Sequence, residues 1–264
     1  MSSYQLIAAL GSSFAAGPGI EPIEDAQAMR SSNNYAHQLA RALDAQLVDL
    51  SVSGATSANV VDTPQQSTMG TGEFAPQLEG LPTSADLVTV TVGGNDLQFV
   101  GAMLYSALLH DDPSSPLVEM MGPMFPEGIP EPAEAVISEA VQGLIRVIDG
   151  ARAKAPAARI VLVDYLTVLS SGVSTPKSPL FTAAELAKLL DLQSAVEQVF
   201  AEAAARRDVD LLLASELSRD HALGSAEPWV QPFHSDLAKI AGSFHPNEAG
   251  MTAIAEALVE LLTN

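Results

Sequence analysis

Four residues of this chain have types and settings that suit acyl-transfer chemistry. Ser13 stands two residues after Gly11 in LIAALGSSFAAGPGI (residues 6–20), where a short apolar run breaks off into small and hydroxyl-bearing residues. Such a loop could cradle a phosphate or present a nucleophile. A phosphate loop needs G-x-x-x-x-G-K-[ST], and residues 11–20 contain no basic residue; glycines at 11, 17 and 19 also miss the dinucleotide spacing G-x-G-x-x-G. The nucleophile reading needs a base, oxyanion donors and a group to orient the base. Gly54 in SVSGATS lacks a side chain that would keep a ligand from its N–H, Asn95 in VGGND offers an amide donor, and His245 in FHPNEAG offers a base.

These four can meet only if the elements carrying them end at one edge. Five short apolar runs precede or flank them: 4–10, 46–52, 86–93, 159–166 and 209–214. Most are continuously apolar, as strands covered on both faces are. Between them lie helical periods, with Tyr35, Leu39 and Leu43 on one face, then Ile137, Val141, Leu144 and Ile148, then Leu186, Leu190, Val196 and Phe200; a last helix follows Pro246. Alternating strand and helix predict an α/β protein with a doubly wound parallel sheet, whose ligands sit outside the carboxyl ends of the strands. Ser13, Gly54 and Asn95 each follow a strand end.

The length of 264 residues suits one large domain, residues 1–264. Residues 97–133 fit this alternation poorly, being methionine- and proline-rich; they read as an irregular, lid-like insertion. The formal net charge of −20, from 32 acidic against 12 basic residues, repels nucleic acid. With no cysteine there is no disulfide or thiolate chemistry. No stretch approaches the roughly 18 apolar residues of a membrane span. The N-terminal run lacks the basic start of a secretion signal, so a cytoplasmic location is expected. Oligomeric state is not legible.

The blocks GSSFAAG, SVSGATS, VGGND and FHPNEAG, in this order, resemble the SGNH (GDSL-type) hydrolase family, closest to its actinobacterial lipase and esterase branch. The resemblance runs from residue 4 to the last helix. It implies a flavodoxin-like three-layer α/β/α fold with a five-stranded parallel sheet. It also implies Ser13 as nucleophile, His245 as base, and an oxyanion hole from the N–H groups of Ser13 and Gly54 and the Asn95 amide. No cofactor or metal is required by that chemistry.

Two departures stand out. Ser12 occupies the place of the family's usual Asp, and Gly242 occupies the place of the Asp that usually orients the histidine. The backbone carbonyl of Gly242 is the favoured substitute; Asp236, or loss of catalysis altogether, are the alternatives. The expected substrate is a small or medium apolar acyl ester, with Phe99, Met103, Met120 and Met124 as candidate pocket walls. A carbohydrate O-acetyl esterase and a non-catalytic binding protein on the same scaffold are the rival readings. The other four histidines read as structural; His110 beside Asp111 and Asp112 is at most a weak metal site.

Overall fold

The five apolar runs pair into one sheet in the computed structural model, which describes residues 4–67, 70, 72–171 and 180–263. Strands β1 (Leu6–Gly11), β2 (Gln46–Asp49), β3 (Leu87–Thr91), β4 (Arg159–Val163) and β5 (Asp210–Leu212) are all parallel, in the order β2-β1-β3-β4-β5. This is the flavodoxin-like order, in which the chain reverses its direction of winding between β1 and β3. Ile7 through Gly11 and all of β3 are buried at every position. Because successive strand residues point to opposite faces, burial at every position means that both faces are covered.

The covers are helices. Helix α1 (Ser13–Ala16) follows β1 directly; α2 (Tyr35–Leu43) packs against the C-terminal helix α7 (Glu248–Thr263). A second group combines α3 (Ser57–Val61), α4 (Phe99–Asp111), α5 (Glu134–Lys154) and α6 (Ala183–Arg207), with α5 and α6 in extensive contact. Local chemistry fixes their ends. Thr182 accepts from the Glu185 N–H while the Glu185 carboxylate reaches back to Thr182, a reciprocal cap that starts α6. Asn34 caps α2 by accepting from the His37 N–H at 3.1 Å.

The segment expected to be irregular contains a regular helix, α4. Its sequence FVGAMLYSALLHD is apolar nearly all round, so it shows no one-sided stripe in the sequence. Such a helix has to be buried on several sides. Phe99, Met103 and Ala107, one turn apart, sit in the core, and Tyr105 stacks on Phe125 from the following turns at 5.1 Å. Beyond α4 come a short helix, Pro116–Met121, and a single 3-10 turn, Gly122–Met124. Among the described residues no helix is long and apolar enough to cross a membrane.

Candidate active site

Gly11 ends β1 in a space too tight for any side chain: a Cβ there would lie 2.6 Å from the Thr91 carbonyl and 2.7 Å from Ala15 Cβ. The buried Gln77 side chain grips this turn from both sides, accepting from Gly11 N–H at 2.8 Å and donating to Gly11 O at 2.9 Å. Ser12 N–H then takes the Thr91 carbonyl at 2.9 Å, so the chain leaves the sheet at a fixed angle into α1. Ser13 is the first residue of that helix and is 6% exposed.

Ser12, which stands where the family's Asp would, is fully buried, and its hydroxyl lies 2.7 Å from the Tyr165 hydroxyl. Tyr165 OH also accepts from the Gly94 N–H at 3.2 Å. One phenol therefore ties the serine turn to the Gly93-Gly94-Asn95 turn after β3. Burial pushes its pKa well above the usual tyrosine range, so it stays neutral. Its ring stacks on Phe14 at 4.2 Å, and Phe14 in turn lies 5.4 Å from the His245 ring. Gly94 has to be glycine, since a Cβ would fall 2.6 Å from the Tyr165 ring. Tyr165 had no role in the sequence reading; its signal was its position just past β4, at the same sheet edge.

Gly54 has φ 87°, the left-handed region that favours glycine. Among the described residues neither its N–H nor that of Ser13 donates to a protein acceptor, so both are free for a ligand. The Asn95 amide is held by a bond from Nδ2 to the Ala55 carbonyl at 2.9 Å, leaving its second hydrogen available. Asp96 is a structural acceptor: it caps α3 through the N–H and hydroxyl of Ser57.

His245 is 9% exposed, and its Nδ1 lies 2.9 Å from the carbonyl of Ser243. This corrects the expectation for Gly242. The Gly242 carbonyl instead accepts the backbone N–H of His245 at 3.1 Å. The reason is the turn: Phe244 adopts φ 65°, unusual for a bulky residue, and this brings the Ser243 carbonyl rather than the Gly242 carbonyl to the ring. The Phe244 ring is fully buried against Phe181 and Phe233, which holds the turn. Asp236 is exposed and bonded within its own turn, to the Ala238 N–H. A carbonyl can only accept, so Nδ1 carries the proton and the Nε2 lone pair is free. Burial pushes the ring's pKa down to about 4, with the Ser243 bond acting in the opposite direction.

Ser13, Gly54, Asn95 and His245 all line one cavity of about 260 Å³, at the carboxyl ends of β1 and β3. This is the reversal point of the sheet, where such folds bind ligands. No hydrogen bond joins Ser13 Oγ to the imidazole; catalytic contacts are often loose before substrate binds. The apolar wall differs from expectation. Val100, Gly101 and Leu104 of α4 line the cavity, whereas Phe99 and Met103 do not and are fully buried in the core. Met120 and Met124 are 65% and 56% exposed and do not line it.

Three of the remaining four histidines, His37, His110 and His221, have ring partners of their own. His110 bonds Glu185 at 2.8 Å, and His221 stacks on Trp229 at 3.9 Å. Glu24, His37 and Asp49 have ligand atoms within 4.8 Å of one another, but Arg30 already pairs with Glu24 and Asn34 with Asp49.

A five-stranded parallel sheet in this order, with Ser13, Gly54, Asn95 and His245 gathered at its reversal point, is the frame of an SGNH-type hydrolase. The chain belongs to the GDSL-like lipase/acylhydrolase family, matching it over residues 9–253. It is a lipase or esterase of that family. It is 28% identical to Lipase 2 of Streptomyces coelicolor, over 96% of this chain and 84% of that protein. The crystal structure of an extracellular lipase from Streptomyces rimosus matches with a TM-score of 0.72 at 22% identity, covering 97% of this chain and 99% of that one. That of phospholipase A1 from Streptomyces albidoflavus matches with a TM-score of 0.73 at 20% identity, with the same coverage. At these identities the two structural likenesses are likenesses of fold.

Proposed function

We propose that the chain hydrolyses small to medium apolar acyl esters through an acyl-enzyme on Ser13. The observation that carries this reading is the convergence of Ser13, Gly54, Asn95 and His245 on one apolar-walled cavity. Ser13 Oγ attacks the ester carbonyl while His245 Nε2 takes the hydroxyl proton. The carbonyl oxygen, now an oxyanion, accepts from Ser13 N–H, Gly54 N–H and the Asn95 amide. As the tetrahedral species collapses, the imidazolium returns the proton to the leaving alcohol. Water then enters, gives a proton to His245 and attacks the acyl carbonyl, and Ser13 is regenerated as the acid departs.

Ser243 takes over the orienting part of the missing carboxylate. Its carbonyl holds the tautomer that leaves Nε2 basic, without adding a negative charge beneath the imidazolium. The cavity's valine and leucine walls favour an aliphatic acyl chain, and its volume suits a short one. The sugar-ester alternative has less support, because among the described residues neither a tryptophan nor a tyrosine lines the cavity that holds Ser13. Steady-state hydrolysis of p-nitrophenyl acetate, butyrate and octanoate, beside acetylated xylan, tests the reading. Preference for the butyrate or octanoate with loss of turnover in Ser13→Ala is expected; cleavage of acetylated xylan alone would overturn the apolar-acyl assignment.

A further inference from the structure

A second, larger cavity of about 640 Å³ adjoins the catalytic one and shares Pro18, Met29, Ile240 and Ala241 with it. Its walls come from the residues just after α1 and the ribbon Ile23–Asp25/Arg30–Ser31 on one side, and from residues 231–242 before His245 on the other. The lining is mainly apolar, with Ile23 and Leu237 exposed at 42% and 71% on its rim. Gln231 lines it too, but both hydrogens of its amide are taken by the carbonyls of Pro18 and Pro246, at 2.9 and 3.1 Å. Gln231 therefore offers no amide donor to a ligand, and the other polar side chains of the lining are Glu21, His234 and Lys239.

The position of this cavity relative to the catalytic groups says which part of an ester it would take. In acyl transfer by a serine, the histidine returns its proton to the leaving alcohol, so that alcohol must lie on the histidine side. Residues 240–242 lead directly into His245 and form part of the second cavity's wall, whereas Val100, Gly101 and Leu104 line only the first. On the Ser13–His245 reading, on which this inference rests, the smaller cavity receives the acyl group. We infer that the adjoining groove binds the alcohol portion of the substrate, and that this portion is itself a long aliphatic chain. The enzyme then works on esters with two apolar arms, the shorter on the acyl side. Size and apolar lining match a site for such a chain.

The test fixes the acyl group as butyrate and lengthens the alcohol from ethyl to octyl, below the concentrations at which the esters aggregate. Each methylene entering the groove should raise kcat/KM by up to about fourfold, until the groove is filled. Ala238→Trp, at an exposed position in the groove wall, should collapse the octyl-to-ethyl ratio of kcat/KM; Leu237→Ser, on the rim, should lower it less. A flat response from ethyl to octyl in the wild type, or an unchanged ratio in Ala238→Trp, overturns the groove assignment while leaving the Ser13 reading intact. Turnover that persists in Ser13→Ala would instead overturn the underlying reading. In that case calorimetric titration of 1-octanol into the protein decides the groove alone: binding weakened by Ala238→Trp supports it, and no binding overturns it.

Discussion

The Nδ1–H of His245 donates to the backbone carbonyl of Ser243 at 2.9 Å, in the place where the family usually sets a carboxylate. A main-chain acceptor fixes ring orientation and tautomer as a carboxylate would, but adds no formal charge. Restoring the carboxylate should not improve the enzyme. A Cβ at Gly242 would lie 2.3 Å from Gln231 Oε1, whose amide is held between two carbonyls. Gly242→Asp is therefore expected to destabilise by about 1–3 kcal/mol through overpacking and to lower kcat. Chemical denaturation and ester kinetics measure both.

The low pKa of His245 fixes the acid limb of the activity profile. Its lone pair remains available down to about pH 4, so kcat/KM should fall only below that value rather than near the 6.5 of a free imidazole. An acid limb at the free-imidazole value, measured across pH 3.5–8 in a stable range of buffers, would contradict the burial argument.

Stability should respond to pH through two buried groups of opposite sign. His245 has its folded value, about 4, below its unfolded 6.5. Its contribution is complete above 6.5 and is lost as pH falls toward 4, by up to about 3 kcal/mol. Burial raises Asp164 from 3.8 to about 7, against the bonds it accepts from Ser215. Its contribution is complete below 3.8 and is lost as pH rises through about 7, by up to about 4 kcal/mol. Between pH 4 and 6.5 the two slopes oppose one another. Asp164→Asn removes one, so urea denaturation of the variant relative to wild type should improve steadily as pH rises from 4 to 7.

Asn95→Ala should lower kcat by about 10²–10³ with little change in KM, because the lost bond forms to the oxyanion rather than to the ground-state carbonyl. A rise in KM at constant kcat would instead make Asn95 a binding residue.

Tyr165→Phe should loosen the link between the serine turn and the Gly94 turn. It leaves the Gly94 N–H, bonded at 3.2 Å in the wild type, without its acceptor. A loss of about 1–3 kcal/mol is expected from that orphaned group, together with a drop in kcat at nearly constant KM. Denaturation and steady-state kinetics on the same preparation distinguish this from a stability loss alone.

The strands and long helices were readable because their patterns follow from burial: continuous apolar runs in β1 and β3, and one-sided stripes in α2, α5 and α6. Ser13, Gly54, Asn95 and His245 were readable because each stands just past a strand end or just before a helix. Helix α4 was hidden by being apolar on nearly every side, and without a stripe nothing in the sequence said that Val100 and Leu104, rather than Phe99 and Met103, would line the cavity. The acceptor for His245 was hidden more deeply. A carbonyl has no side-chain signature, and the choice of Ser243 over Gly242 depends on the positive φ of Phe244, which a phenylalanine gives no reason to expect. Tyr165 was hidden because its partners, Ser12 and Gly94, lie more than seventy residues away along the chain.

Every step of the chemistry turns on Ser13 being a nucleophile activated by His245. The most direct test is labelling with a serine-directed alkyl fluorophosphonate, the adduct being located by peptide mass spectrometry. One adduct is expected, on Ser13, formed rapidly by wild-type protein and more slowly by His245→Ala. An adduct on another serine, or no adduct in folded protein that still hydrolyses esters, would contradict this.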